Sequence, residues 1–509
     1  MKQVRVKWTV AAIMLALLLA SLDQTIVSTA MPTIVAELKG MDIYSWVFTA
    51  YMLTATTVMP IVGKLSDLYG RKRFFLLGLA VFMAGSALCG TADTMMQLVI
   101  YRGLQGLGGG ALMPIAFTIF FEVFPPEQRG KMQGLLGSVF GLSSVFGPTI
   151  GAYITEYVSW NWIFYINLPL GILSFVILLF SLVETKAAGA RPKIDFLGAA
   201  AMAVSIVTLL LALVFGGKEY AWSSWQVLGL FGTSTLFLIL FLLIEKRAEE
   251  PMLPLALFRK RVIAVMSAVV FIQGIAMMGS ASYIPLFVQG VLGGTATNAG
   301  NILTPMMLAV VAGSMTGGFM MRKFSYRTIT VAAMAVMALG AFLLSRLDVN
   351  ATQMQVTLCM ILLGLGVGPL MPASTTAVQG AVDMKQRGVA TSSVAFFRSI
   401  GGTVGVAVMG TIVTHHMTNQ LADKLGRSPM AGTFLQNPQA LLQPELRAKI
   451  PPAILTVLQG TLAEAISYVF LFALAAAVVG LVTACFMGKS KLEIGERGMP
   501  RQPVTEGNL

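Results

Sequence analysis

The chain has 509 residues, of which 56% are hydrophobic and only 11% charged, and its mean hydropathy is +0.80. Ordinary soluble domains carry roughly 25% charged residues, so this composition excludes a water-soluble fold. The formal net charge of +13 would suggest nucleic acid in a soluble protein, and the placement of the basic residues described below excludes that partner as well.

Crossing ~30 Å of hydrocarbon takes about 20 apolar residues as a helix. Fourteen such runs follow one another, centred near Leu17, Thr56, Ala84, Gly109, Ser143, Ser174, Thr208, Leu236, Gly274, Ala312, Met337, Gly364, Gly405 and Leu474. Lipid offers the backbone no hydrogen-bond partners, so each run must be helical. The expectation is an all-α membrane protein with fourteen transmembrane helices. The first run continues from Trp8 to about Ala30 with no A-x-A-like cleavage site after it, which marks a retained helix rather than a secretory signal.

Between the second and third helices lies a short loop, GKLSDLYGRKRF, residues 63–74. Gly63 and Gly70 permit a tight turn there, and Asp67 is placed to accept a hydrogen bond or face a helix N-terminus. The fourth helix carries Arg102, Gln105, a glycine-rich stretch and Met113; Glu122 near its inner end and Glu156 near the outer end of the fifth are read as solvated. Helix five carries Gly134, Gly137, Gly141, Gly147, Pro148 and Gly151. Small residues let helices approach closely and a Gly-Pro step relaxes a helix, so static packing and a sliding seam are both open readings. An amphipathic outer loop is expected at about 415–464, with His415 and His416 as interfacial caps at a helix end, and 489–509 reads as a polar tail.

Of the 35 lysines and arginines, 26 fall on one side of the predicted spans, 7 on the other and 2 within them. By the positive-inside rule both termini are cytoplasmic. Trp46, Trp160, Trp162, Trp222 and Trp225 fall at outer helix ends and Trp8 at an inner one, as an interfacial aromatic belt requires. The three cysteines, Cys89, Cys359 and Cys485, lie in apolar runs and suggest neither a disulfide framework nor a metal site.

Residues 106–114 read GLGGGALMP and residues 364–372 read GLGVGPLMP. The same offset of 258 pairs Gln128, Arg129 and Gly130 with Gln386, Arg387 and Gly388, and Gly147 with Gly405. The repeat period is therefore eight helices, so helices one to six match nine to fourteen with the same orientation, giving a parallel pseudo-two-fold about the membrane normal. The domain expectation is an N-terminal six-helix bundle over 1–185, a linker with two inserted helices over 186–261, a C-terminal six-helix bundle over 262–488 and a cytoplasmic tail over 489–509.

An ionisable side chain near mid-bilayer costs ~3 kcal/mol on insertion scales, so each needs a reason. Counting at 1.5 Å per residue from the helix ends puts Asp23 and Arg102 both roughly 10 Å below the outer surface, which makes a charge pair possible. The structural reading is a static ion pair; against it, the position paired with Arg102 by the repeat, 360, is Met. Burial favours the protonated acid and a neighbouring arginine favours the carboxylate, so Asp23 is the candidate proton acceptor and Arg102 its tuning partner. Arg398, in helix thirteen, is read as cavity-facing or bonded to a backbone carbonyl, with Gln105 and Met113 as further candidate cavity residues.

These motifs resemble those of the major facilitator superfamily, specifically its fourteen-helix drug/proton antiporter branch. GKLSDLYGRKRF resembles the superfamily's signature loop, LDQTIVSTAMP (22–32) and YRGLQGLGGGALMP (101–114) the first- and fourth-helix motifs of the branch, and GLSSVFGPTIGAYI (141–154) its antiporter motif; WNWIFYINLPLG (160–171) is also typical. The resemblance implies a fold of two six-helix bundles plus two central helices, and a conformational latch at Gly63, Asp67, Gly70 and Arg71. It implies proton coupling at Asp23 and Arg102, and an antiport segment at Gly141, Gly147, Pro148 and Gly151. One departure concerns cation recognition: helix ten lacks the acidic residue of some relatives and helix thirteen carries Arg398 instead.

The function expected is proton-coupled antiport, exporting hydrophobic or cationic small molecules across the cell membrane by alternating access, as a monomer in the lipid bilayer. It needs no cofactor beyond the proton gradient, no metal and no nucleic acid. The alternative is a dedicated exporter of one endogenous metabolite, lipid or amino acid by the same mechanism. An enzyme is not expected, since no intramembrane nucleophile and base or metal cluster stands out.

Overall fold

Helices form wherever the chain must satisfy its own main-chain polar groups in an apolar surround. The computed structural model describes residues 2–38, 43–124, 126–182, 195–217, 219–294, 296–425 and 451–488. In chain order the long helices are α1 (Lys2–Leu38), α2 (Tyr44–Tyr69), α3 (Arg71–Gly90), α4 (Met95–Val123) and α5 (Pro126–Tyr157). A one-turn helix, Trp162–Tyr165, leads into α6 (Asn167–Ser181), followed by α7 (Phe196–Phe215) and α8 (Trp225–Glu245). The last six are α9 (Arg261–Leu286), α10 (Ala296–Met320), α11 (Tyr326–Leu344), α12 (Gln353–Gly380), α13 (Arg387–Leu425) and α14 (Pro452–Cys485). Among the described residues, thirteen helical segments are long and apolar enough to cross a membrane. The remaining helix, α5, is less apolar yet 32 residues long, more than a crossing needs.

Polar caps mark where helices leave the apolar zone. Thr94 accepts from the Gln97 amide to start α4, Asp195 from Gly198 to start α7, and Thr352 with Gln355 forms a capping box on α12.

Packing repeats along the chain with the eight-helix period. In the first half α1 packs on α5 and α6, α2 and α3 on α4, and α3 on α6. In the second half α9 packs on α13 and α14, α10 and α11 on α12, and α11 on α14, the same set of partners. The glycines of the sequence repeat explain the closest of these contacts. A Cβ on Gly106 or Gly110 would run into main-chain atoms of α2, and one on Gly108 into main-chain atoms of α3. In the second half Gly364 and Gly368 abut the main chain of α10 and Gly366 that of α11. Alternate glycines thus bring two neighbours against one central helix, and any side chain there would force them apart.

Between the halves, α2 packs on α13 and α5 on α10, a pair of contacts that the pseudo-two-fold exchanges. The inserted α7 and α8 hold each other by reciprocal bonds, Ser205 Oγ to Ser234 O and Ser234 Oγ to Ser205 O, both 2.9 Å. They join the body through a cluster in which Met202, Ile206 and Phe241 meet Leu53 and Ile61 of α2 and Ile400 and Val404 of α13.

Two boundaries differ from the sequence expectation. The loop placed at about 415–464 is helical at both ends, because α13 continues to Leu425 and α14 begins at Pro452. Its amphipathic pattern is that of helices with one packed face: Met417, Leu421, Leu458 and Leu462 are buried. His415 and His416 accordingly lie inside α13, where His416 sits 3.4 Å from Glu464 of α14 and 4.9 Å, ring to ring, from Tyr468. The expected loop centre and the tail at 489–509 fall outside the described residues.

Candidate functional site

Asp23 of α1 and Arg102 of α4 meet inside the first half, with Arg102 Nη1 2.5 Å from Asp23 Oδ2 and both side chains essentially without exposure. The other carboxylate oxygen, Oδ1, accepts from Gln105 Nε2 at 2.8 Å and from Asn167 Nδ2 of α6 at 3.2 Å. Arg102 Nη1 also donates to Gln105 Oε1 at 2.7 Å, and its guanidinium lies 4.4 Å from the centre of the Tyr51 ring on α2. Asn167 is itself fixed by Ser86 Oγ at 2.9 Å, which donates to the Phe164 carbonyl. Every partner of Asp23 is a donor, so the arrangement is complementary to a carboxylate, and a proton arriving on Oδ2 has to displace Arg102.

Gly85 makes this assembly possible, since a Cβ there would lie 2.6 Å from main-chain atoms of Gln105 and push α4 away from α3. Gln105, expected at a cavity wall, is instead fully buried within this cluster. Asn167, Ser86 and Tyr51 are participants that sequence reasoning passed over. Asn167 was the one with a usable signal, an amide five residues into an inward-running helix and so at the depth of the charge pair.

From the cluster a chain of contacts reaches the seam between the halves. Two residues beyond Asp23, Thr25 Oγ1 donates to the Ser143 carbonyl of α5 at 3.1 Å. The α1–α5 approach is so tight at that point that a Cβ on Gly147 would collide with the Thr25 hydroxyl. Farther along α5, Gly137 and Gly141 face Ser314 and Val311 of α10. Gly151 is a buried position of α5, and Pro148 lies in the same helix.

A second cluster gathers at the α2–α3 corner and the start of α13. Asp67 Oδ1 accepts from the Gly388 amide and Oδ2 from the Val389 amide, each at 2.9 Å, so the carboxylate sits on the N-terminus of α13. Arg71 donates to Asp67 Oδ1 at 2.8 Å, pairs with Glu122 at 2.9 Å and reaches the Met384 carbonyl at 3.1 Å. Glu122, read from sequence as solvated, is therefore part of this junction. Gly63 leaves room for Ser392 and the Gly388 carbonyl, and Gly70 takes φ 106°, the left-handed region that favours glycine, at the α2–α3 corner. Lys64 bonds Glu250 at 2.8 Å and so ties the segment after α8 to the same end of α2.

Arg398 lies in the second half, donating from Nε to Gln273 Oε1 of α9 at 3.3 Å and from Nη2 to Ser374 Oγ of α12 at 3.1 Å. Met113 is half-buried against the first-half core. A cavity of about 40 Å³ separates the halves, lined among others by Phe117, Gly137, Gly141, Val311, Ser314 and Met371. It holds a water or two, whereas drug-sized cargo fills roughly 300 Å³ or more. Of the methionines, Met307 and Met371 line this cavity, while Met266, Met306, Met334, Met337 and Met360 are wholly buried core. Among the described residues no group of three or more acidic, histidine or cysteine side chains is arranged to hold a metal.

Comparison with known proteins places these features in context. The family model described as Major Facilitator Superfamily matches residues 13–406. Multidrug resistance protein 3 of Bacillus subtilis (strain 168) is 44% identical over 500 residues, 97% of each chain. Multidrug transporter protein MdtP of the same organism is 40% identical over 96% of this chain and 94% of its own. Among solved structures, the human organic anion transporter MFSD10 superposes with a TM-score of 0.61 at 14% identity, covering 93% of this chain and 99% of that one, a likeness of fold alone.

Proposed function

This chain belongs to the Major Facilitator Superfamily, a multi-pass membrane transporter and not an enzyme, and on that premise we propose that it is a proton-driven antiporter that exports hydrophobic small molecules by alternating access. The observation that carries the reading is the buried cluster of Asp23, Arg102, Gln105 and Asn167. A charge pair so far from water is costly to keep unless it works.

Protonation of Asp23 cancels its charge and releases Arg102, which Gln105 and the Tyr51 ring still hold. The change loosens α1 against α4, and the Thr25–Ser143 bond with the tight Gly147 contact passes the movement to α5 and thence to α10. Asp67, seated on α13, holds the basic face shut in the present conformation. The excess of basic residues supports a cytoplasmic placement of that face and of both termini in the cell membrane. Inward proton flow supplies ~2.3 kcal/mol per charge per 100 mV and ~1.4 kcal/mol per pH unit, enough to drive export without a nucleotide. The names of the Bacillus relatives support cargo of more than one kind.

The test is dye export from proteoliposomes under an imposed pH gradient, wild type against Asp23→Asn. The variant is expected to lose gradient-driven export while still exchanging dye down its own gradient. Full gradient-driven export by Asp23→Asn refutes the assignment.

A further inference from the structure

The Asp23–Arg102 pair is neutral as a whole, and Arg398 is not. It begins about 16 Å along α13 from Arg387 at 1.5 Å per residue, close to half of the hydrocarbon thickness. Its two bonds go to a neutral amide and a neutral hydroxyl, and among the described residues no carboxylate pairs with it. Both partners are themselves fixed: Gln273 Nε2 donates to the Val367 carbonyl at 3.1 Å, and Ser374 Oγ to the Met371 carbonyl at 3.1 Å. The guanidinium is thus held rigidly by α9 and α12 with its positive charge uncompensated.

Among the described residues the third nitrogen, Nη1, has no hydrogen-bond partner, and the Arg398 side chain is part-exposed. The helices flanking Arg398 say where it opens. One residue on, Ser399 bonds Thr56 of α2 at 2.7 Å, and Met371, whose carbonyl anchors Ser374, lines the cavity between the halves. Arg398 therefore stands beside the α2–α13 seam between the halves, with Met371, which anchors its partner Ser374, on the cavity wall. A fixed arginine fork with unused donors suits a planar acidic group, which takes two parallel bonds, and α10, which lines the cavity between the halves, contains no acidic residue to favour a cation.

We propose that Arg398 is the anchoring site for an acidic group, a carboxylate above all, on the exported molecule. The proposal rests on the exporter reading and deepens it, because it makes cargo with an acidic group on an apolar body the preferred class.

The test uses the full-length protein in phosphatidylcholine vesicles with two dyes, rhodamine B, which carries a free carboxylate, and its ethyl ester, which does not. Binding of each is measured by fluorescence titration for wild type, Arg398→Gln and Arg398→Lys. Wild type is expected to bind the acid more tightly than the ester. Arg398→Gln weakens the acid roughly tenfold, the scale of one charged hydrogen bond, and leaves the ester within about twofold. Arg398→Lys keeps the charge without the fork and retains part of the preference. If the acid and the ester weaken together in Arg398→Gln, or the acid shows no advantage in wild type, the proposal is overturned. Export is read in the same vesicles: discrimination without export breaks the exporter reading and leaves the site, whereas export without discrimination does the reverse.

Discussion

In the first half a buried guanidinium, Arg102, faces a carboxylate 2.5 Å away, whereas in the second half Arg398, eleven residues into α13, has among the described residues a glutamine and a serine for partners. The helices that carry the two arginines belong to bundles with the same internal contacts and the same alternate glycines. Yet Arg102 is matched through the repeat by Met360, and Asp23 by Ala281. The difference separates two kinds of constraint. Close packing is needed in every bundle and is present in both halves, whereas an intramembrane charge is expensive and stands only where a task requires it.

The sharpest way to break this comparison is to remove each arginine in turn. Arg102→Met leaves Asp23 buried and unpaired, and a broken buried pair costs ~3–5 kcal/mol. The melting temperature of the purified protein is expected to fall markedly, and adding Asp23→Asn to the same chain to restore most of it. An unchanged melting temperature for Arg102→Met would show that the pair is not a coupled unit. The scaffold half of the comparison is sharpened by overfilling equivalent glycines. Gly108→Leu and Gly366→Leu each force a helix off main-chain atoms of its neighbour and should destabilise by about 1–3 kcal/mol or more, to similar extents. A large disparity between them would mean that the halves are not packed alike.

The latch gives a smaller effect. Asp67→Asn keeps an acceptor but loses the charge on the α13 N-terminus, about 1 kcal/mol, hence roughly a fivefold shift toward the parted form. A cysteine placed at the buried Ser392, in a chain with the exposed Cys485 changed to Ser, reports it as faster thiol labelling. Equal labelling rates would remove Asp67 from the latch. The smallest effect is expected of Arg398→Met. With no counter-charge left stranded, its stability should change by under about 1 kcal/mol, in either direction. A loss as large as that of Arg102→Met would reveal a partner the geometry does not contain.

Much of this architecture is legible in the amino acids. Apolar runs, the placement of Lys and Arg, and one constant offset are enough to expect fourteen helices, twelve of them in two matching sets of six, because lipid allows so few backbone solutions. Counting residues to the helix ends puts Asp23 and Arg102 at equal depth and so makes their pairing possible, which the packing of α1 on α4 realises. What escaped are relations between distant segments. Asp67 can be read as a helix-capping acid, but that it caps a helix starting 320 residues later depends on how the halves dock. Glu122 looks like an end-of-helix carboxylate until the α2–α3 corner brings Arg71 to it. The facing ends of α13 and α14 read as loop in the sequence because polar residues on their outer faces dilute the apolar signal, while Leu421 and Leu458 sustain the packed one.

The hold of Asp67 on α13 has one more implication. It grips two successive main-chain amides, and every residue but proline presents such an amide. The catch is thus indifferent to most side chains on the strip it seizes, provided position 388 stays small enough to admit it. Because both amides belong to one turn of α13, a single carboxylate spans them together. A transporter fastened in this way can diversify the surface it presents to cargo while its clasp keeps the same bite.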